Sequence, residues 1–155
     1  MAYLDKILQP GETVVAMGRL HWVLYLGALL MAVAALIIAA VAGAAMPRGG
    51  AQYAALGLAG LLLVIAFFQF VSQWLVVITT EYAVTTRRVI VKRGFFSLHT
   101  VEMSLDKIES VDVDQSVLGR MLGYGAVTIH GIGARWDPLP NLADPLSFRQ
   151  AITLR

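Results

Sequence analysis

Two long apolar runs occupy the first half of the chain. Residues 22–46 contain no charged side chain, and residues 53–71 are interrupted only by Gln69. A helix rises about 1.5 Å per residue, so roughly 20 apolar residues cross the hydrocarbon core of a bilayer, and both runs are long enough. The pattern predicts two transmembrane helices over residues 21–46 and 53–74, joined by an extracytoplasmic loop at 47–52. The alternative, two buried helices of a soluble protein, needs more polar chain than 155 residues supply.

The end of the second span and the packing of the hairpin are less sharply marked. Gln73 and Trp74 indicate the exit, after which residues 75–78 either prolong the helix or begin a strand, and their β-branched side chains favour the strand. Small residues recur along both spans, and they predict a hairpin that packs on itself, with packing between subunits as the alternative. These residues are Ala28, Ala32, Ala35, Ala39 and Gly43 in the first span, and Ala55, Ala59 and Gly60 in the second.

A β domain is expected over residues 75–155, and its strand periodicity begins after Thr79. Residues 99–105 alternate strictly, with Val101, Met103 and Leu105 on one face. In residues 108–114 the alternation slips once, which predicts a bulge near Glu109. Further strands are expected at 81–85, 89–92 and 125–132, while the prolines of residues 134–140 favour an edge strand or a loop.

Two short helices interrupt and close this domain. Ser116 is a good N-cap and Gly123 a good terminator, which places Leu118, Met121 and Leu122 on one helical face. We expect that face to pack against the sheet. Turned outward, the helix, including Arg120, would instead contact a neighbouring subunit or the membrane interface. Asp144 and Pro145 begin a C-terminal helix whose apolar stripe comprises Phe148, Ala151 and Ile152.

The N-terminal segment, residues 1–20, is also expected to contribute to the β domain. Residues 13–17 are β-prone and precede the first span, just as residues 75–79 follow the second. Because both segments lie on the same side of the membrane, they are expected to pair and cover a bare sheet edge. The alternative is an interfacial helix over residues 3–8 followed by a linker.

Composition supports the membrane interpretation. Charged residues make up 14% and hydrophobic residues 58% of the chain, against about 25% charged in a typical soluble domain. No cysteine is present, which excludes disulfides, thiolate metal sites and cysteine nucleophiles. Residues 42–44 have the small-x-small form of a signal-peptidase site, but the apolar run is too long for a signal core and Asp5 and Glu12 interrupt a basic leader. We therefore expect the first helix to remain in the mature protein.

The flanking basic residues predict the orientation. Lys6 and Arg19 precede the first span and only Arg48 lies in the loop, whereas the basic cluster Arg87, Arg88, Lys92 and Arg93 follows the second span. By the positive-inside rule we expect a multi-pass membrane protein with both termini in the cytoplasm. Trp22 and Trp74 are then expected to contact the membrane at one interface.

The same basic cluster is the candidate site for lipid contact. An anionic leaflet adds about 1 kcal/mol per basic residue near its surface, so headgroup binding is one interpretation, although the positive-inside rule alone would place cations there. An acidic stretch follows, which could orient the domain or match subunits, but solvated strand positions are the simpler explanation. It consists of Glu102, Asp106, Glu109, Asp112 and Asp114.

Other chemistry finds little support. His21, His99 and His130 lack the spacing of metal ligands, the glycines around Tyr124 lack the rest of a nucleotide loop, and no serine stands in a nucleophile elbow. A net charge of +2 gives little attraction for nucleic acid. We expect no catalytic residue, no cofactor and no metal.

Several motifs together resemble the bacterial pleckstrin-homology-like (PH-like) proteins, in the class that joins a two-helix membrane anchor to a cytoplasmic PH-like domain. The motifs span nearly the whole chain and comprise residues 8–12 (LQPGE), 19–22 (RLHW), 82–90 (YAVTTRRVI), 108–111 (IESV) and 115–125 (QSVLGRMLGYG). The resemblance implies an all-β fold of two nearly orthogonal antiparallel sheets with a C-terminal capping helix. It also implies a binding or assembly module and no enzymatic activity.

The expected function is therefore that of a non-catalytic inner-membrane protein whose PH-like domain mediates self-assembly or recruits a protein partner. The alternatives are binding of anionic lipid headgroups through the basic hairpin, and a role as accessory subunit of a membrane enzyme or export system. The expected partners are the lipid bilayer, further copies of the chain and another membrane protein, with Leu118, Arg120, Met121 and Leu122 as candidate contacts.

Overall fold

A computed structural model describes residues 8–94, 99–135 and 138–153. The chain forms two compact units. Residues 22–76 make up a helical unit, and the residues before and after them make up a β unit. The β unit is therefore assembled from two pieces of chain that the helical unit separates.

The helical unit begins with a 3₁₀ turn, Trp22–Tyr25, and continues with α1 (Leu26–Ala45) and α2 (Gly50–Thr79), whose last three residues belong to the β unit. Alanine and leucine, both strong helix formers, dominate α1. The helix stops at Met46, whose extended backbone is the conformation that the following Pro47 imposes. Because α2 runs to Thr79, the expectation of a strand at residues 75–78 is wrong, and the second helix continues past Trp74.

The two helices contact each other at both ends. The rings of Tyr25 and Phe70 lie 5.1 Å apart, and the Gln52 Nε2 atom donates a 3.0 Å hydrogen bond to the Ala42 carbonyl. The buried residues of the pair are small and recur every seven positions, as Ala28, Ala35 and Ala42 in α1 and Ala59 and Ala66 in α2. The predicted stripe was therefore correct in kind, but Gly43 and Gly60 of that stripe are exposed.

The first sheet of the β unit contains four antiparallel strands in the order β1-β2-β3-β4. These are β1 (Val14–Gly18), β2 (Glu81–Thr85), β3 (Arg88–Arg93) and β4 (His99–Ser104). The N-terminal segment does contribute a strand, but its partner is β2, because residues 75–79 are helical. Leu8 has no helical structure, and the rest of the alternative N-terminal helix lies outside the described residues.

The second sheet places β6 (Tyr124–Gly131) at its centre. On one side β6 pairs with β5 (Ile108–Asp114), which follows a 3₁₀ turn at Leu105–Lys107. On the other side it pairs with β7 (Ala134–Arg135) and β8 (Leu139–Ala143). The register shifts between Ile108 and Ser110, which confirms the predicted bulge. Residues 134–140, where an edge strand or a loop was predicted, contain β7 and the first two residues of β8. Trp136 and Asp137 lie outside the described residues.

The core of the β unit lies between the sheets and is closed by the C-terminal helix. This helix, α4 (Pro145–Thr153), packs against strands of both sheets and buries Phe148 and Ile152, as its apolar stripe predicted. Asp144 caps it, since the Ser147 N–H donates to the Asp144 carboxylate at 3.3 Å. The larger buried side chains around it are Tyr82, Val84, Val89, Val91, Met103, Val127, Ile129, Leu139 and Leu142. Two antiparallel sheets with a terminal helix are the expected fold.

Candidate functional site

The turn between β2 and β3 holds the centre of the basic cluster. Arg88 forms a two-point contact with Glu12, from Nε to Oε1 at 3.0 Å and from Nη2 to Oε2 at 2.8 Å. Its remaining Nη1 atom donates to the Glu102 carboxylate at 2.6 Å. Two carboxylates thus surround one guanidinium, which lowers the positive charge available to an external anion.

Glu12 is held in place by the turn that precedes β1. Gly11 has a φ of 82°, a left-handed conformation that favours glycine, and it turns the chain so that Glu12 points into the β unit. There the Glu12 side chain is fully buried, and its carboxylate also accepts hydrogen bonds from the Thr85 hydroxyl at 2.7 Å and the Gln9 N–H at 3.0 Å. The hydrogen bonds from Arg88 lower the pKa of Glu12 to about 2. The reciprocal contact raises the pKa of Arg88.

The other three cations of the cluster also have partners within the β unit. Lys92 Nζ lies 3.9 Å from the Glu81 carboxylate, and Arg87 Nη1 donates to Gln9 Oε1 at 3.3 Å. Arg93 Nη2 donates to the Pro138 carbonyl at 3.2 Å, and its guanidinium lies 5.7 Å from the centre of the Tyr82 ring. Burial of Tyr82 raises the pKa of its hydroxyl. The structure therefore brings these residues into one hairpin but gives each of them an intramolecular contact.

The contact of Glu12 with Arg88 is not evident from the sequence, because Arg88 follows 76 residues later in the chain. In the sequence alone Glu12 is a charge of the leader and the last residue of a family motif. The usable signal was the Pro10-Gly11-Glu12 sequence, a turn followed by an acidic residue, within the first motif of the family resemblance.

A short helix with an exposed apolar face follows β5. This helix, α3 (Val117–Leu122), has the predicted caps, since the Ser116 hydroxyl accepts from the Gly119 N–H and Gly123 takes the left-handed conformation. The expected packing of its apolar face against the sheet is wrong. Its large side chains are exposed, Val117 and Met121 by 77%, Leu118 by 63% and Leu122 by 41%.

Glycine explains why α3 faces outward. Gly119 is the buried residue of the helix, and a Cβ atom at that position would lie 2.6 Å from the Tyr124 carbonyl oxygen. The helix therefore approaches β6 through backbone alone, a contact that no larger residue permits. Its apolar side chains are consequently on the opposite side.

A groove of about 450 Å³ runs between β5 and α4. Its apolar wall is formed by the partly buried Ile108 and Val111 with the buried Ile152, and its rim carries Glu109 and Arg149. In the described part of the chain β5 pairs on one side only, with β6, so β5 is an edge of the second sheet. The groove thus combines a strand edge with an apolar surface.

The remaining sequence candidates are spread over both units. Trp22 and Trp74 are both about half exposed, in the 3₁₀ turn and in α2 respectively. His21 is buried and stacks on Tyr124 at 5.2 Å, and His130 lies 2.9 Å from the Asp112 carboxylate. Within the described ranges no three metal-ligating residues come together.

Comparison with known families decides the assignment. The sequence profile described as bacterial PH domain matches residues 15–154, which include both helices and both sheets. The chain belongs to the bacterial PH domain family. No curated protein and no solved structure matches this PH-like chain. The match confirms the resemblance noted in the sequence, and the two antiparallel sheets with a C-terminal helix and a helical hairpin confirm the expected fold class. PH-like domains are generally non-catalytic.

Proposed function

We propose that this protein is a non-catalytic inner-membrane protein whose cytoplasmic PH-like domain recruits a protein partner to the bilayer. The membrane anchor is supported by helices Trp22–Ala45 and Gly50–Thr79, whose most apolar 18-residue windows have mean hydropathies of 2.6 and 2.4. Only 11% of the most apolar window of each helix is buried within the chain, whereas core helices of soluble proteins are mostly buried. Exposed leucine, isoleucine and phenylalanine side chains on this scale require lipid or protein around them.

The groove between β5 and α4 is the observation that supports recruitment of a protein partner. An edge strand presents unpaired N–H and C=O groups, to which an extended segment of another protein can add as a further strand. With seven residues β5 is long enough for such pairing, and the apolar wall beside it can receive alternate side chains.

The charge of this edge favours a basic partner. Glu109, Asp112 and Asp114 are exposed along β5. Pairing of β5 with the β5 of a second copy would bring two acidic strands together, which is unfavourable. The groove therefore suits an extended segment that carries lysine or arginine, and self-assembly would have to use another surface.

Site-specific cross-linking in cells tests the proposal. A photoreactive amino acid at Ser110, in the groove, should give a cross-linked product with a different protein. The cross-linked site in that protein should lie in an extended segment that carries lysine or arginine. The same label at Gln150, exposed on α4 outside the groove, is the control. Glu109→Lys should reduce the product several-fold, whereas Asp106→Lys, an exposed acidic residue beyond the groove, should not. Equal yields at the two labelled positions, or no effect of Glu109→Lys, would remove the groove as the recruiting surface.

Self-assembly is tested separately by the mass of the intact protein in a lipid nanodisc. A multiple of the chain mass would support self-assembly, and a single chain would contradict it. Co-purification of one distinct membrane protein would support the role of an accessory subunit.

A further inference from the structure

We propose that α3 is an interfacial anchor, whose exposed Val117, Leu118, Met121 and Leu122 insert into the headgroup and acyl boundary of the bilayer. This rests on the proposed membrane anchoring of α1 and α2. It adds a third membrane contact, made by the β unit itself.

The orientation of α3 is fixed by the fold. Besides the backbone approach at Gly119, the Gly123 N–H donates to the Gly119 carbonyl, and the Asp144 N–H donates to the Gly123 carbonyl at 2.9 Å. The Gln115 side chain donates to the Tyr124 carbonyl at 3.1 Å. Bonds at both ends thus hold the helix, so its apolar face is presented outward by a defined structure.

A chain of contacts links α3 to the last residues before the first span. The His21 N–H donates to the Asn141 carbonyl at 2.7 Å, and the Ala143 N–H donates to the Arg19 carbonyl at 2.8 Å. The His21 ring stacks on Tyr124, which follows α3 after a single glycine. Tyr124, one glycine after α3, thus contacts His21, the residue that directly precedes the apolar run in the chain.

The chemistry of α3 suits a membrane boundary. Four apolar side chains on a helix of six residues leave Arg120 as its only charged residue, so this helix offers a membrane interface both an apolar face and a cation. The exposed Arg120 can contact anionic headgroups while its neighbours enter the acyl region. A helix of six residues is also small for a stable protein interface, which takes roughly 20 to 30 residues from each partner. These properties favour the bilayer over a second copy as the occupant.

Because the chain has no cysteine, single cysteines can report the depth of chosen positions. The intact protein would be placed in phosphatidylglycerol and phosphatidylcholine vesicles, with an environment-sensitive fluorophore at Met121→Cys, Leu118→Cys or, as the aqueous control, Glu109→Cys. Leu36→Cys, exposed on α1, reports the span. Fluorophores at positions 118 and 121 should be blue-shifted and quenched several-fold more by shallow brominated lipids than at position 109.

The possible results distinguish contact of the apolar face of α3 with lipid, with water or with protein. Quenching at position 36 with water-like fluorescence at 118 and 121 would overturn the anchor while leaving the membrane spans intact. Blue-shifted fluorescence at 118 and 121 without lipid quenching would also overturn it, in favour of a protein contact. Absence of quenching at position 36 would instead contradict the membrane anchoring of the proposed function.

Discussion

At the scale of single residues, the Glu12 carboxylate ties the N-terminal segment to the basic hairpin. Removing a carboxylate from water is costly, and here the cost is offset by four hydrogen bonds, two of them from one guanidinium. Breaking such a pair from one side leaves a charge without its partner, which is more destabilising than the loss of an exposed ion pair. Glu12 is therefore a structural residue, and its partner Arg88 is largely one too.

Stability of the β unit should depend on Glu12 in a pH-dependent way. The folded pKa of about 2 lies below the ordinary value of 4.5, so the stabilisation is complete above pH 4.5 and is lost as the pH falls toward 2. Glu12→Gln should lower the free energy of unfolding by about 2 to 3 kcal/mol at pH 7. Thermal unfolding in nanodiscs should show the gap between variant and wild type shrinking by more than half at pH 3. A gap that is unchanged with pH would contradict the assigned ion pair.

Arg87 and Arg88 form a matched pair of controls, because they are adjacent in sequence but differ in their contacts. Arg88→Ala should destabilise the β unit about as much as Glu12→Gln, since it leaves Glu12 buried without its cation. Arg87→Ala removes only a 3.3 Å exposed contact to Gln9 and should change stability by less than about 0.5 kcal/mol. If Arg88→Ala alone loses binding to anionic vesicles, the loss follows from destabilisation. A headgroup site is supported only if the stable Arg87→Ala variant loses this binding as well.

At the scale of elements, α3 shows that a helix can be predicted while its packing is not. Ser116 and Gly123 marked its ends because capping depends on local sequence. The same spacing that put Leu118, Met121 and Leu122 on one face also put Gly119 on the other. An apolar stripe normally faces a core, and only the close approach of Gly119 to Tyr124 reverses that rule here.

Replacing Gly119 by alanine should therefore act against helix propensity. In an exposed helix the change would stabilise by up to about 1 kcal/mol. Here the added Cβ would lie 2.6 Å from a backbone oxygen, so we expect the β unit to lose about 1 to 3 kcal/mol in thermal unfolding. Arg120→Ala, at an exposed position of the same helix, should leave stability within about 0.5 kcal/mol of wild type. A stabilised Gly119→Ala variant would show that α3 is not held as described.

At the scale of the whole molecule, local patterns revealed the parts and long-range pairing determined how they join. Strict alternation in β4, the parity slip in β5 and the apolar runs were sufficient to predict strands, a bulge and a helical hairpin. The predicted partner of β1, residues 75–79, was wrong, because those residues are helical and β1 pairs with β2 instead. Contacts such as Glu12 with Arg88 and His21 with Tyr124 join distant parts of the chain, and no local pattern contains them.

The β unit also constrains how the chain can cross a membrane. Because β1 precedes the first helix and β2 follows the second, and because the two strands pair, both ends of any membrane-crossing segment between them must lie on one side of the bilayer. An even number of spans satisfies this requirement. This requirement does not depend on the positive-inside rule, which predicts that this side is the cytoplasm.

A membrane-impermeant maleimide applied to intact cells should therefore label Gly49→Cys and not Gln150→Cys. Gly49 is exposed between α1 and α2, and an added Cβ there meets no other atom within 4 Å. Gln150→Cys, in α4, should react only after the inner membrane is permeabilised. Labelling of Gln150→Cys in intact cells would place the β unit outside the cytoplasm. If both positions reacted only after permeabilisation, the two helices would not span the bilayer, and the pairing of β1 with β2 would be satisfied without a crossing.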